Sequence, residues 1–394
     1  MSGPAGALPF LPYGRQSIDA ADHAAVQAVL DSPFLTQGPV VPRFEAALAA
    51  RVGARYCVAF ANATAALHCA VAALGLPVGA EGVTSTNTFV ASANCLAYNG
   101  LLPRFADIDP RTYCVTAETL AARCTDATRV LIPVHFAGQA CDLVAIGALA
   151  RARGLRVIED AAHAIGSVDA QGRPVGACAH SDMAVFSFHP VKTITTGEGG
   201  AVTTNDPALY EALTLLRSHG ITKDPARLQA NPGPWHYEQQ RLGFNYRITD
   251  LQCALGLSQL DRLDAFKARR REIVSTYNAA FAGLPWLVTP YEGPDLDSCF
   301  HLYVVRLDLP ALGSDRATVM ARLAAVGVGS QVHYIPVHTQ PWYRETYGTL
   351  TGQCPEAERY FESCLSLPLY PALTDADVAR VVTAVRGLAP STGA

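Results

Sequence analysis

Residues 183–205 read MAVFSFHPVKTITTGEGGAVTTN and contain two short apolar runs, separated by a turn that is rich in threonine and glycine. Neither run carries a charged residue, and uninterrupted apolar runs of this length are typical of strands in a sheet that is buried on both faces. The turn holds Lys192 between Val191 and a series of small residues. The stretch therefore predicts a lysine that follows a buried strand, although a lysine in a surface loop would fit the same pattern.

Outward from this stretch, apolar runs and helical patterns alternate along most of the chain. Such alternation predicts an α/β fold in which a mostly parallel sheet is covered by helices. The predicted strands span residues 56–60, 102–106, 130–134, 156–159, 183–187 and 201–204. The predicted helices between them span residues 43–50, 63–74, 91–98, 143–153 and 207–217.

The pattern changes in the last third of the chain. Residues 224–235 are polar and rich in proline, which is typical of an excursion loop, and residues 249–280 have the leucine spacing of one long linking helix. The remainder predicts a smaller α+β domain. Its predicted strands span residues 301–307 and 329–334, and its predicted helices span residues 317–325 and 375–388.

The composition of the chain argues against several classes of partner and of site. The chain has 394 residues, a net charge of -4 and no basic block, so we expect neither nucleic acid nor an anionic membrane as a partner. Its 11 cysteines form no CxxC pair and no zinc-site spacing, which predicts free thiols in a reducing, cytoplasmic compartment and no metal site. Residues 1–16 lack the pattern of a signal peptide. The uncharged run 56–80 is punctuated by Gly75, Pro77 and Gly79, so we interpret it as a buried strand and helix.

Three segments carry side chains or backbone groups suited to chemistry. VIEDAAH (157–163) places Glu159 and Asp160 at the end of a strand, where parallel sheets bind ligands, although either carboxylate could instead cap a helix. Burial would lower the pKa of Lys192, and a neutral amine can form an imine with an aldehyde. NATAA (62–66) lies where a strand meets a helix, and Asn62 could cap a helix whose free N–H groups bind an anion.

A lysine for an aldehyde, a carboxylate for a ring nitrogen and a helix start for a phosphate are together what pyridoxal 5'-phosphate (PLP) requires. The chain has no GxxxxGK(S/T) and no GxGxxG motif, so nothing supports a P-loop or a dinucleotide fingerprint.

Further motifs, in the same order along almost the whole chain, resemble those of the DegT/DnrJ/EryC1/StrS sugar aminotransferases, which are PLP enzymes of fold type I. The motifs are TQGPVVPRFE (36–45), NATAAL (62–67), TNTFVASAN (86–94), FADID (105–109), EDAAHAIG (159–166), SFHPVKTITTGEGGAVTTN (187–205), RSHGI (217–221), GFNYRITDLQCALGLSQL (243–260), HLYVVRL (301–307) and QVHYIPVH (331–338).

The resemblance implies a fold like that of aspartate aminotransferase. It implies a large domain with a mostly parallel, seven-stranded sheet flanked by helices, and a smaller α+β C-terminal domain. The implied boundaries are an N-terminal segment that packs on the active site (1–35), the PLP-binding domain (36–265), and a linker helix with the small domain (266–394).

The resemblance also implies roles for individual residues. Lys192 matches the catalytic lysine that forms a Schiff base, and Asp160 the aspartate that faces the pyridine nitrogen. The other cofactor positions are His163 and Phe89 on the two ring faces, Ala63, Thr64 and Ser187 around the phosphate, and Asn245 at the phosphate of a neighbouring subunit. The expected substrate contacts are Tyr13, Phe34, Leu35, Thr36, Gln331, Val332, His333 and Tyr334, with Arg247 as our candidate for the carboxylate of the amino donor.

The implied enzyme is a homodimer with shared active sites that acts on a nucleotide-sugar with L-glutamate as amino donor. SFHPVKTITTGEGG is most similar to enzymes of pseudaminic acid biosynthesis, which implies UDP-4-keto-6-deoxy-N-acetyl-L-altrosamine as substrate. Alternatives are another dTDP- or UDP-keto-sugar aminotransferase and a non-catalytic relative that binds nucleotide-sugars. A sugar 3-dehydratase would carry histidine in place of Lys192, and a desulfurase would want a reactive cysteine on a mobile loop.

Overall fold

A seven-stranded sheet forms the centre of the molecule in the computed structural model, which describes residues 9–293 and 296–389. Its strands are β1 (Tyr56–Phe60), β2 (Glu81–Ser85), β3 (Leu102–Ala106), β4 (Thr128–Ile132), β5 (Arg156–Asp160), β6 (Met183–Ser187) and β7 (Gly200–Thr204). They lie in the order β1-β7-β6-β5-β4-β2-β3, and only β7 runs antiparallel to its neighbours among these strands. The predicted mostly parallel sheet of seven strands is confirmed.

Strand β2 is the one member of this sheet that the sequence pattern did not predict. Its sequence EGVTS starts with a charge and a glycine, so it has no apolar run. The neighbouring strand β3 supplies a partner for the charged residue of β2, because Arg104 pairs with the Glu81 carboxylate. A Cβ at Gly82 would lie 2.3 Å from a methyl group of Leu96, so any larger residue at this position would displace the Leu96 side chain that packs on the strand.

Helices cover both faces of the sheet. The helices in chain order are α1 (Ala20–Leu30), α2 (Val40–Val52), α3 (Ala63–Ala73), α4 (Ala91–Tyr98), α5 (Ala117–Ala121), α6 (Leu143–Arg153), α7 (Pro207–Arg217), α8 (Asp250–Asp261) and α9 (Leu263–Phe281). Helices α3, α4 and α7 pack on one face, while α2, α5, α6 and α8 pack on the other. Strand β1 shows the alternation, since Val58 and Phe60 face the first group whereas Cys57 and Ala59 face the second.

The prediction of one long linking helix over 249–280 is wrong. The structure divides this run into α8 and α9 at Arg262, whose backbone leaves the helical region. The Arg262 guanidinium binds the carboxylates of Asp19, at 2.7 Å, and Asp22. This ion-pair cluster ties the break to the start of α1, a contact that leucine spacing cannot reveal.

The C-terminal part contains the antiparallel strands β10 (Leu287–Val288), β11 (Tyr303–Leu307) and β12 (Cys364–Leu367). They follow the hairpin strands β8 (Ile221–Thr222) and β9 (Glu238–Gln239), which flank the predicted excursion loop. The remaining helices are α10 (Arg316–Ala325), α11 (Pro341–Tyr347), α12 (Pro355–Ser363) and α13 (Asp375–Arg386). The strand predicted over 329–334 is wrong, because this segment makes a single bridge, Gln331 to Ser366, and then leaves the sheet.

Two apolar cores support the C-terminal part. One is its own and lies between α9, α10, α13 and the small sheet. The other is shared, because Val304 and Tyr360 pack in one cluster with Val83 and Phe105 of the large sheet. The domain boundaries at residues 35 and 265 stay a prediction. No helix in the described part of the chain combines the length and the apolar character that spanning a bilayer requires.

Candidate active site

A cleft of about 1060 Å³ opens at the C-terminal ends of the parallel strands. Strand ends and the loops that follow them form such clefts in open α/β sheets, because the chain turns away to different sides there. Asp160 ends β5, Ser187 ends β6, and the segment 331–334 closes the cleft from the C-terminal part. The cleft is therefore built by strand ends of the large sheet together with one segment from beyond it.

Lys192 lies in the turn after β6, where its N–H donates a 2.8 Å hydrogen bond to the carbonyl of His189. Part of the side chain is open to the cleft, and protein surrounds the rest. This desolvation lowers the pKa of Lys192 to about 8, although the negative charge of Asp160 acts in the opposite direction. At pH 7 about a tenth of the amine is therefore neutral and nucleophilic, far more than for a lysine with the ordinary pKa of about 10.4.

Asp160 is buried and receives two hydrogen bonds on its carboxylate. The Ala162 N–H donates to Oδ1 at 3.1 Å, and the Ser92 hydroxyl donates to Oδ2 at 2.6 Å. Since the Ser92 proton is used there, the Thr88 hydroxyl at 2.7 Å must donate to Ser92. Thr88 and Ser92 thus form a directed chain that holds the Asp160 carboxylate in one orientation. Both residues lie in TNTFVASAN, but nothing in the sequence pattern distinguishes them from helix-start residues.

Glu159 points away from the cleft, as strand alternation requires of the neighbour of Asp160. Its Oε2 lies 3.0 Å from Nε2 of His135, and Ser181 also donates to the carboxylate. The Cys141 N–H donates to His135 Nδ1 at 3.0 Å, so the imidazole carries its proton on Nε2 and donates it to Glu159. Glu159 is a buried structural carboxylate and does not cap a helix.

The start of α3 forms an anion site at the cleft. Asn62 caps the helix by accepting a 2.8 Å hydrogen bond from the Ala65 N–H. The N–H groups of Ala63 and Thr64 have no hydrogen-bond partner in residues 9–293 and 296–389, and both residues line the cleft. A Cβ at Gly200 would lie 2.6 Å from the Ala63 nitrogen, so a side chain there would fill the space beside these amides.

Aromatic side chains form the walls of the cleft. The His163 imidazole lies 3.1 Å from the Tyr334 hydroxyl, measured from Nε2, and the two rings are nearly parallel at 23°. Phe89 is 57% exposed and lies on another side of the cleft, with its ring centroid 6.3 Å from that of Tyr334. A flat ring would fit between such walls. Tyr246 and His68, which the sequence did not single out, also line the cleft and are joined at 3.2 Å.

The structure brings most of the predicted site residues together. The cleft is lined by Lys192, Asp160, His163, Ala63, Thr64, Ser187, Phe89, Tyr13, Gln331, Val332, His333 and Tyr334. The predicted residues outside it are Phe34, Leu35, Thr36, Asn245 and Arg247. Two of these, Asn245 and Arg247, flank the cleft-lining Tyr246, so in an extended segment their side chains point to the opposite side.

The groups around the cleft have the chemistry that PLP requires. They provide a partly neutral lysine, an oriented carboxylate, unpaired amides at a helix start and flat walls. This site, at the end of a mostly parallel seven-stranded sheet, defines a PLP-dependent transferase of fold type I. The model of the DegT/DnrJ/EryC1/StrS aminotransferase family matches residues 16–386, and the chain belongs to that family. It is a PLP-dependent sugar aminotransferase.

Known relatives are similar over nearly their full length. The spore coat polysaccharide biosynthesis protein SpsC of Bacillus subtilis is 40% identical over 380 residues, which are 96% of this chain and 97% of SpsC. PseC of Helicobacter pylori, described as an aminotransferase involved in the biosynthesis of pseudoaminic acid, superposes with a TM-score of 0.90 at 30% identity, covering 96% of this chain and 99% of PseC. Spr1654 of Streptococcus pneumoniae, solved in a PLP-form, gives a TM-score of 0.88 at 29% identity, with coverages of 96% and 98%.

Proposed function

We propose that this sugar aminotransferase transfers the amino group of L-glutamate to the C4 ketone of UDP-4-keto-6-deoxy-N-acetyl-L-altrosamine. The observation that carries the aminotransferase chemistry is Lys192, a partly neutral amine in the same cleft as the oriented carboxylate of Asp160. The choice of sugar is supported by the similarity to PseC and by the motif that contains Lys192.

Bound PLP supplies an aldehyde for an amine and a ring that accepts electrons from the α-carbon of the amino donor. The residues of the chain do the rest. Lys192 would hold PLP through its amine, and its free amine would take a proton from the α-carbon of the amino donor as a general base and return it as a general acid. Asp160, fixed by Ser92 and the Ala162 N–H, keeps a proton on the pyridine nitrogen.

We assign the phosphate to the start of α3. The N–H groups of Ala63 and Thr64 lack partners among the described residues, and the positive end of the helix dipole favours an anion there. The Ser187 hydroxyl lines the same cleft and donates to no residue in the described part of the chain, so its proton is available to a phosphate oxygen. His163 and Phe89 would hold the two faces of the ring.

We propose that two chains share each active site. Asn245 is exposed and points away from the cleft of its own chain. Phe34 and Leu35 are 51% and 48% exposed, which is unusual for large apolar side chains unless another surface covers them. Leu35 and Thr36 lie beside α8, next to the segment that holds Asn245 and Arg247. In a homodimer these residues would complete the site of the other chain, with Arg247 binding the carboxylate of glutamate.

A second candidate is amination of a different UDP- or dTDP-linked keto-sugar. The similarity to SpsC favours it, because that relative is described as a protein of spore coat polysaccharide biosynthesis, and its 40% identity exceeds the 30% of PseC. The cytoplasm remains our prediction for the compartment. Its support is that all 11 cysteines are free thiols and ten of them are buried.

The proposal is tested by absorption spectroscopy followed by product identification. Purified protein loaded with PLP should show the visible band of a lysine-bound aldehyde, and L-glutamate should bleach it as 2-oxoglutarate forms. The amine-loaded protein is then offered UDP-linked and dTDP-linked 4-keto-6-deoxy sugars, and the products are identified by mass spectrometry and NMR. Preferred turnover of a dTDP-linked sugar would reject the proposed substrate, and a band that glutamate does not bleach would reject the proposed donor.

A further inference from the structure

One hydrogen-bonded chain in the cleft joins two residues that are already expected to contact ligands, His163 and Tyr334, and its hydrogen bonds have a defined direction. The Ala137 N–H donates to Nδ1 of His163 at 3.3 Å, and Nε2 of His163 lies 3.1 Å from the Tyr334 hydroxyl oxygen. Tyr334 comes from a segment 171 residues away from His163, so the contact exists only in the folded chain. The three residues run from the backbone behind the cleft to its lining surface.

The direction of these hydrogen bonds follows from their donors. A backbone N–H can only donate, so Nδ1 of His163 accepts and carries no proton. Burial lowers the pKa of His163 well below its usual value, and the nearby Lys192 and His333 lower it further because a charged imidazole is unfavourable beside them, so His163 is neutral. Its single proton is therefore on Nε2, where it is donated to the Tyr334 oxygen.

Tyr334 is thus an acceptor towards His163 and keeps its own proton for another partner. In residues 9–293 and 296–389 the phenol oxygen has no other hydrogen-bond partner. Burial raises the pKa of Tyr334, helped by Tyr13 and by the negative charge of Asp160, so the phenol remains protonated across the range in which enzymes are assayed. Tyr334 lines the cleft, so we infer that the uncommitted proton of its hydroxyl is available to a molecule bound there.

The backbone behind His163 is held in place firmly enough to define this direction. Ala137 has φ 56° inside the 3₁₀ turn Phe136–Gly138, a left-handed conformation that is uncommon for a residue with a side chain. The carbonyl of Gly138 accepts a 2.5 Å hydrogen bond from Ser167, and a Cβ on Gly138 would lie 2.9 Å from the Cys299 sulfur. The turn that presents the Ala137 amide is therefore packed on both sides.

We propose that Tyr334 is a dedicated hydrogen-bond donor to an electron-rich oxygen bound in the cleft, and that His163 and the Ala137 amide position it for this role. The proposal rests on the proposed function, which brings two such oxygens into the cleft. One is the phenolic oxygen on the cofactor ring, and the other is an oxygen of the sugar substrate. Either oxygen can accept the proton of the Tyr334 hydroxyl. The two acceptors are distinguished by whether removal of this proton changes cofactor binding or sugar binding.

The test compares the PLP-loaded wild-type protein with Tyr334→Phe, which keeps the ring and removes the proton. If the acceptor is on the cofactor, the PLP dissociation constant rises roughly tenfold, as expected for one hydrogen bond to a charged group, and the pH midpoint of the visible band shifts. If the acceptor is on the sugar, the spectrum and PLP affinity stay as in wild type while KM for the keto-sugar rises by about the same factor. Unchanged values for all three would overturn the proposal.

Two further variants separate donation from packing. Tyr277→Phe is the matched control, because its buried hydroxyl donates to the Pro368 carbonyl at 3.0 Å in the C-terminal core, and its loss should leave PLP affinity and spectrum unchanged.

His163→Leu should reproduce the shift of Tyr334→Phe, and the double variant should show less than the sum of the two effects on the pH midpoint. Strict additivity would overturn the positioning role. If the wild-type protein forms no visible band with PLP, the proposed function is overturned together with this inference. If the wild-type protein behaves as expected and Tyr334→Phe has the same PLP affinity, spectrum and KM, only this inference is overturned.

Discussion

Single residues set the charge state of the cleft. Lys192 and Asp160 lie within electrostatic reach of each other, yet burial dominates and brings the lysine pKa down to about 8. The Asp160 carboxylate is held in one orientation by hydrogen bonds that run from the Thr88 hydroxyl through the Ser92 hydroxyl. The reactive amine therefore depends on desolvation, while the carboxylate depends on directed hydrogen bonds.

The pH dependence of cofactor capture follows from the lysine pKa. The neutral amine attacks the aldehyde, and its fraction increases as pH rises through about 8, so PLP capture by the cofactor-free protein should accelerate about eightfold between roughly pH 6.5 and 7.5 and level off above about 9. Stopped-flow absorbance measures this rate. Lys192→Ala is the control and should form no visible band at any pH; a band in that variant would refute the assignment of Lys192.

Removing the Ser92 hydroxyl should disturb Asp160 without touching the cofactor directly. Ser92→Ala leaves Oδ2 of Asp160 without its 2.6 Å donor, and we expect kcat to fall by roughly tenfold, the value of about one hydrogen bond to a charged group. Ser258→Ala is a suitable control because the Ser258 hydroxyl is buried without a partner among the described residues. Equal rates in both variants would show that Asp160 does not need the Thr88–Ser92 chain.

At the scale of elements, the site depends on how closely one strand approaches one helix. The first residue of β7, Gly200, passes beside the first turn of α3, where the unpaired amides of Ala63 and Thr64 face the cleft. Neither element has an unusual composition. Their function comes from their separation, which only glycine permits at this position.

Gly200→Ala should weaken both the fold and the phosphate site. The new Cβ would lie 2.6 Å from the Ala63 nitrogen, so either α3 or β7 must move, and we expect a loss of about 1–3 kcal/mol in unfolding free energy together with weaker PLP binding. Thermal denaturation and a PLP titration measure the two effects. Gly14→Ala is the matched control for stability, because its nearest neighbour would be a Val191 atom at 3.4 Å, an ordinary contact. Retained PLP affinity in Gly200→Ala would argue against the phosphate site.

For the molecule as a whole, the cleft of one chain lacks Asn245, the residue that the family resemblance assigns to the phosphate of a neighbouring subunit. Asn245 is exposed and lies on the far side of the segment from Tyr246. The single chain thus holds the lysine, the aspartate and the helix start, and a second chain would contribute the remaining phosphate contact.

Mixed dimers of two inactive variants test this sharing. Lys192→Ala and Asn245→Ala chains with different tags are co-expressed, and the mixed species is purified. If each site takes its lysine from one chain and its asparagine from the other, one of the two sites in a mixed dimer is fully wild type, so activity should return to about half of the wild-type value per dimer. Activity no higher than that of the Asn245→Ala parent would place Asn245 in its own chain's site.

Local features of the fold and of the site can be predicted from the order of residues. The sequence pattern predicts most strands of the sheet, helices such as Leu143–Arg153, and the positions of Lys192, Asp160 and the start of α3. This succeeds because apolar periodicity and strand-to-helix junctions depend only on residues that are close together in sequence. The tertiary structure alone decided that β2 is a strand, that Ser92 meets Asp160 across 68 residues and that Tyr334 meets His163 across 171. These contacts depend on which distant segments the core brings together, and periodicity along the chain carries no information about the partner.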